Sequence, residues 1–242
     1  MANTWILIRH PDKIGDKEGV YLGDTAGITE LGRQQMALVT ERLKQLCPMV
    51  VTCSMFPRAV TLAEHIAAEL GLGEPVQTGL LNEIDKPRFL IGMKRTDEEH
   101  QKVMQAIRDG WDADTVPVDL LRGETIRTRS EVERDLDRLF AMIEGFLPTQ
   151  HAPAPEVMLS VSHAKTIAAI GQKVLSKDGS LVGYYDMADR AFKVSTTGIT
   201  ILVRRPNRRT GERHWHIQTW NEESHTDTGL DEEFRSLIKD VT

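Results

Sequence analysis

Trp5 to Ile8 (WILI) is a bulky apolar run that ends on Arg9 and His10, and Pro11 stops it. Apolar residues at every position, without alternation, read as a strand buried on both faces, spanning Thr4 to Ile8. Two later stretches repeat the pattern. Met49 to Ser54 (MVVTCS) is apolar up to its last polar residues, and Val157 to Ser162 (VMLSVS) runs straight into His163. The segments between them carry helical period. ITELGRQQMALVTERLKQL (28–46) has Thr29 placed as an N-cap and Glu30 in the first turn. RAVTLAEHIAAELG (58–71) is ended by Gly71. A further helix is predicted over 96–109, with Gly110 behind it. A long one is predicted from about Glu124 to Phe146, with Val132, Leu136, Leu139, Phe140 and Ile143 on one face. Ala164 to Leu175 reads as the helix that follows the third strand.

The remaining segments read as connections. Residues 11–27 are polar and Gly-rich, 79–91 are irregular, and 111–123 form a loop. LPTQHAPAPE (147–156) is a Pro-rich connector back to the sheet. ITILVRR and HWHIQTW, joined by PNRRTGE, predict a hairpin at the sheet edge. Strand–helix–strand–helix order with short connections gives parallel pairing. The predicted fold is an α/β three-layer αβα sandwich with a mostly parallel central sheet. Residues 86–150 are almost all helical between strands, so they read as an inserted helical cap within one domain spanning 1–242.

Composition narrows the functions. The chain has 242 residues and a formal charge of −6, which speaks against a nucleic-acid partner. No apolar run is long enough for a membrane span, and the N-terminus has no signal-peptide pattern. Cys47 and Cys53 lack metal-motif spacing and are too few for a disulfide framework, so reduced thiols and a cytoplasmic location are expected. No metal or other cofactor is implied. His214 and His216 share a strand face without an acidic or Cys partner at ligand spacing, and read as an ordinary edge strand. RRPNRR (204–209) reads as a solvated hairpin tip.

Ligands of open α/β sheets bind beyond the carboxyl ends of the parallel strands. Here the first strand ends in Arg9-His10, the second in Ser54 with Arg58 four residues on, and the third in Ser162-His163. If the three are parallel neighbours, two Arg and two His converge on one rim. Such a cluster makes a poor core and a good oxyanion cage, because Arg matches phosphate geometry with a planar fork. Taken singly, each residue has an ordinary reading as a strand-end pair, a solvated helix-start cation or a satisfied imidazole.

Taken together, the sequence resembles the histidine phosphatase superfamily, the phosphoglycerate-mutase-like proteins. The matching pieces are LIRHPDK (7–13), GITELGRQQ (27–35), SMFPRAVTLAEHIA (54–67), LLNEID (80–85), RGETIRTRSEVERDLDRLF (122–140), SVSHAKTIAAI (160–170) and TTGITIL (196–202). They cover most of the chain in the family's order. The resemblance implies that His10 is a nucleophile that becomes phosphohistidine, that Arg9, Arg58 and His163 hold the phosphoryl oxygens, and that Glu83 is the general acid, with Asp12 as the substitute. Lys13 and the backbone at Ala164 would add contacts to the substrate. Arg122, Arg127 and Arg129 are candidates to reach over the pocket from the cap.

The chain also departs from the family's pattern. Pro11, Asp12 and Lys13 replace a common Gly, acidic residue and Thr or Ser; Asp16 and Leu22 replace polar residues; Ala164-Lys165 replaces Gly-Gly. The implied function is phosphomonoester hydrolysis on a phosphorylated small molecule or a phosphoprotein, by a metal-independent phosphatase of the histidine acid type, with a homodimer possible. Phosphoglycerate-mutase-type transfer and a phospho-ligand-binding module with a weakened site are the alternatives.

Overall fold

Arg9 and Ser162 sit side by side, because the first and third of the apolar runs are direct neighbours in the sheet. The computed structural model describes residues 3–225 except 16, 85–86, 117, 147–155, 177, 186–187, 189–190 and 208. Its strands are β1 (Asn3–Arg9), β2 (Val50–Cys53), β3 (Val76–Gln77), β4 (Val157–Ser162), β5 (Ile199–Pro206) and β6 (Arg213–Glu222). They form one mixed sheet in the order β3-β2-β4-β1-β5-β6. β1 is parallel to β4, β4 to β2 and β2 to β3. β5 runs antiparallel to β1 and forms the expected edge hairpin with β6.

The helices are α1 (Glu30–Lys44), α2 (Pro57–Glu69), α3 (Glu98–Trp111), α4 (Arg129–Gly145) and α5 (Ala164–Leu175). Alternate residues of β1 serve opposite layers. Ile6 and Ile8 pack with α1 and α2 residues such as Val39, Leu43, Leu62 and Ile66. Trp5 and Leu7 pack with Ile107, Leu136, Leu139 and Ile167 from α3, α4 and α5. This explains the unbroken apolar run: both faces of β1 are covered, and every side chain from Trp5 to Ile8 is fully buried. Burial of each contributes roughly 1.5–3 kcal/mol. Trp5 also stacks edge-on against Phe140 and Trp215 and donates its indole N–H to Ser160 Oγ at 2.8 Å.

The structure corrects several sequence expectations. The two-residue strand β3 was not expected; at that length it carries no periodicity. The segment 79–91 holds two short 3-10 turns, 79–81 and 88–90. The long helix begins at Arg129 rather than near Glu124. Arg122 and Gly123, both with positive φ, turn the chain after the 3-10 turn 118–121 and ahead of the predicted start. Thr128 and Glu131 then close a capping box. Glu124, freed from the helix, accepts the N–H groups of Arg88 and Phe89. α3 runs one residue past Gly110 to Trp111. Arg204 is not part of a solvated tip but pairs with Glu144 of α4 at 3.3 Å. α3 and α4 do lie between β3 and β4, within the expected 86–150 range, whose last residues fall outside those described. Among the described residues, no helix is long and apolar enough to cross a membrane.

Candidate active site

Parallel pairing of β1, β4 and β2 carries their carboxyl ends to one rim. His10 N–H bonds Ser162 carbonyl at 2.9 Å, and Ser54 N–H bonds Val161 carbonyl at 3.0 Å. The side chains that follow therefore converge. The rings of His10 and His163 lie 5.1 Å apart, both buried. Arg58, in the first turn of α2, is buried beside them and donates from Nη2 to His163 Nδ1 at 3.2 Å. The Phe56 ring lies against both Arg58 and His163, each about 5.0 Å from its centre. Arg9, half-buried, donates to Val194 carbonyl at 2.8 Å.

The two imidazoles are held in opposite tautomers. His10 Nδ1 lies 2.8 Å from the Pro11 carbonyl, which can only accept. Nδ1 therefore carries the proton, and Nε2 keeps its lone pair. His163 Nδ1 instead faces the Arg58 guanidinium, which can only donate, so its proton sits on Nε2. That Nε2–H donates to Ser54 Oγ at 2.8 Å, and Ser54 Oγ–H donates to Asn82 Oδ1 at 2.9 Å. Met55 N–H also bonds Asn82 Oδ1, which fixes the amide's orientation. Burial holds the pKa of both imidazoles well below their ordinary value. For His10 the charges of His163, Arg9 and Arg58 add to this; for His163 those of Arg58, Arg9, Lys13 and Arg127 do. Both rings are thus neutral at pH 7.

Glu83 is half-buried on a loop pinned from several sides. Ser162 Oγ donates to Leu81 carbonyl and Thr166 Oγ1 to Asn82 carbonyl, both at 2.7 Å. Arg127, just before α4, donates to Glu83 carbonyl at 2.6 Å and pairs with Asp135. Of the three arginines expected to reach over the pocket, Arg127 alone touches this loop in the structure as described. Arg122 pairs with Glu99 and lies over Phe89, and Arg129 lies 3.8 Å from Glu133.

The loop after His10 is tied to α1. Asp12 accepts Thr29 Oγ1–H on its carboxylate and Thr29 N–H on its carbonyl, while its own N–H bonds Gln35 Oε1. A Cβ at Gly32 would overlap the Asp12 carbonyl, so glycine is required for this close approach. Asp12 thereby joins the loop to the α1 N-terminus. Lys13 is buried and bridges to Ile28. Leu22 leads into the 3-10 turn 23–25, whose Gly23 and Asp24 carbonyls accept Arg58. Asp16 lies outside the described residues. Ala164 opens α5, whose first-turn N–H groups face the rim.

Sequence reading singled out His10, His163, Arg9, Arg58 and Glu83, and the structure brings their strand ends and loops together. It missed Asn82 as the joint between Ser54 and the Glu83 loop. The polar residue inside the otherwise apolar LLN was the available signal. His214 and His216 are exposed on β6, and no group of three His, Cys, Asp or Glu among the described residues could hold a metal ion. Cys47 and Cys53 are free, and burial pushes the Cys53 thiol up to about 11, leaving it unreactive.

The same fold is found among known proteins. Among solved structures, a mycobacterial hydrolase superposes with a TM-score of 0.70 at 19% identity, over 92% of this chain and 100% of that one. A mycobacterial glucosyl-3-phosphoglycerate phosphatase gives 0.69 at 18%, over 91% and 100%. A phosphoserine phosphatase mutant from Entamoeba histolytica gives 0.62 at 21%, over 92% and 98%. No curated protein matches the sequence. The family model described as histidine phosphatase superfamily (branch 1) matches residues 5–223, nearly the whole chain, so the chain belongs to that superfamily.

Proposed function

We propose that the chain is a phosphomonoester hydrolase that works through a phosphohistidine on His10. The observation that carries this reading is the pairing of His10 Nδ1 with Pro11 carbonyl, which leaves a neutral Nε2 with its lone pair among Arg9, Arg58 and His163. In the first step Nε2 attacks phosphorus; the P–N bond forms and the P–O bond to the leaving group breaks. Arg9 and Arg58 take up the charge growing on the phosphoryl oxygens, joined by Lys13 and the amides at Ala164, while His163 accepts from Arg58 and fixes its guanidinium. Glu83 gives its proton to the leaving oxygen. In the second step water attacks phosphorus, passing a proton to Glu83, and the P–N bond breaks.

The route needs no metal ion. The depth of His10 and His163 favours a phosphorylated small molecule over a phosphoprotein. Superposable structures are named as phosphatases of glucosyl-3-phosphoglycerate and phosphoserine, which supports hydrolysis over mutase-type transfer. α3, α4 and their connections act as a cap that bounds the leaving-group side, with Arg127 as its reach into the site. Two free thiols suit a reducing, cytoplasmic setting.

The test is release of phosphate from an aryl phosphate with excess chelator present. Wild type is expected to turn over undiminished by the chelator, and His10→Ala to lose about three or more powers of ten in kcat. Turnover abolished by chelation, or retained in His10→Ala, would refute the reading.

A further inference from the structure

Lys165 and Tyr185 each bury a side-chain donor that has no hydrogen-bond partner. Lys165 is the second residue of α5, two past His163, where the family pattern commonly has glycine. Its side chain lies inward, and Nζ is buried with no hydrogen-bond partner. Its contact is the face of the Tyr185 ring, 4.6 Å away. Tyr185 is 7% exposed, and its hydroxyl is also buried without a hydrogen-bond partner. An ammonium taken out of water loses far more than a ring face returns, and a buried phenol hydroxyl without a partner is likewise unfavourable.

Both groups are held in place by the wall that carries Glu83. Tyr184 donates its hydroxyl to the Lys165 carbonyl at 2.6 Å. Trp111 packs on Tyr184 and Tyr185 and donates its indole N–H to the Arg127 carbonyl, and Arg127 holds the Glu83 carbonyl. If Glu83 protonates the leaving oxygen, as proposed above, this wall borders the leaving group. We propose that Lys165 Nζ and Tyr185 Oη form a subsite for a second anionic group, carboxylate or phosphate, on the leaving part of the substrate. Lys165 can only donate and Tyr185 has a hydrogen to give, so an acceptor with negative charge satisfies both. A neutral hydroxyl would leave the ammonium uncompensated.

The experiment compares phosphate esters of short ω-hydroxyalkanoates with alkyl monophosphates of the same chain length, and adds bisphosphates of the matching diols. Wild type is expected to favour a carboxylate or bisphosphate substrate over its alkyl counterpart by about tenfold or more in kcat/KM. Lys165→Met should bring that ratio to about one, and Tyr185→Phe should lower it by less. A wild type with no preference for either anionic series overturns the subsite, whatever the variants do. So does a Lys165→Met enzyme that keeps the wild-type ratio. Calorimetric binding of the same pairs to His10→Ala needs no turnover. An anion preference there without wild-type turnover would refute the hydrolase reading and leave the subsite standing. Turnover without preference would do the reverse.

Discussion

The rim of strand ends and the Glu83 loop meet at one site but are built in different ways. At the rim, His10 and His163 follow directly from β1 and β4, and register alone brings them together. The Glu83 loop has no regular ladder. It is placed by side chains from four directions: Ser54, Ser162, Thr166 and Arg127. The rim is therefore as rigid as the sheet. The loop's position depends on a few hydrogen bonds, each of which can be removed singly. In the proposed mechanism, charge recognition falls to the rigid part and proton delivery to the tethered part.

That contrast can be broken by mutation, beginning at the rim. Arg58→Met removes the guanidinium fork and the donor to His163 Nδ1 together. It is expected to cost about 10³ in kcat/KM for any phosphomonoester, as loss of a preorganised charge-stabilising donor does. Steady-state kinetics on an aryl phosphate checks this. A loss under tenfold would mean that the rim is not where phosphoryl charge is held.

Asn82→Ala should cost less, about 10–10² in kcat with KM little changed, because the Glu83 loop drifts while the phosphate cage stays. An aryl phosphate with a good leaving group, which needs little proton donation, should lose least. The same variant frees Ser54 from its acceptor, so ring nitrogen NMR should show His163 leaving its single Nε2–H tautomer for a mixture. An equal loss for good and poor leaving groups, with an unchanged His163 spectrum, would separate Asn82 from both roles.

The smallest effect is on stability against pH. Both imidazoles have pKa values held below 6.5 by burial first and then by neighbouring cations. Below pH 6.5 the unfolded chain binds protons that the folded chain refuses. Their contribution is thus fully present above pH 6.5 and is lost as pH falls beneath it, by up to about 1.4 kcal/mol per pH unit for each ring. Urea unfolding at several pH values measures the slope. His10→Ala should shallow it by about one ring's share, and an unchanged slope would place His10 in water.

Legibility in the sequence follows the same division. The sheet and its rim could be read because a strand buried on both faces leaves an uninterrupted apolar run, and the polar residue that ends it marks the rim. Parallel pairing could be expected from the strand–helix alternation, but the place of β4 between β2 and β1, reached only after α3 and α4, could not. The Glu83 loop carries no such period. Asn82 gains its meaning from Ser54, 28 residues earlier in the chain. The start of α4 was misplaced because Glu124 is held by the N–H groups of Arg88 and Phe89, far off in the chain, and the cap that starts the helix is Thr128 with Glu131. Asp12 read as a spare acid, and its bond to Thr29 left no local mark in the sequence. Contacts between distant loops leave no local pattern.

The central claim is that His10 Nε2 bonds covalently to phosphorus. The direct measurement is rapid quenching of the full chain with excess phosphomonoester at alkaline pH, followed by peptide mass spectrometry. One added phosphoryl group is expected on the peptide carrying His10, stable in base, lost in acid and absent from His10→Ala. Sustained turnover with no phosphoryl group on His10, or with one on another residue, would contradict it.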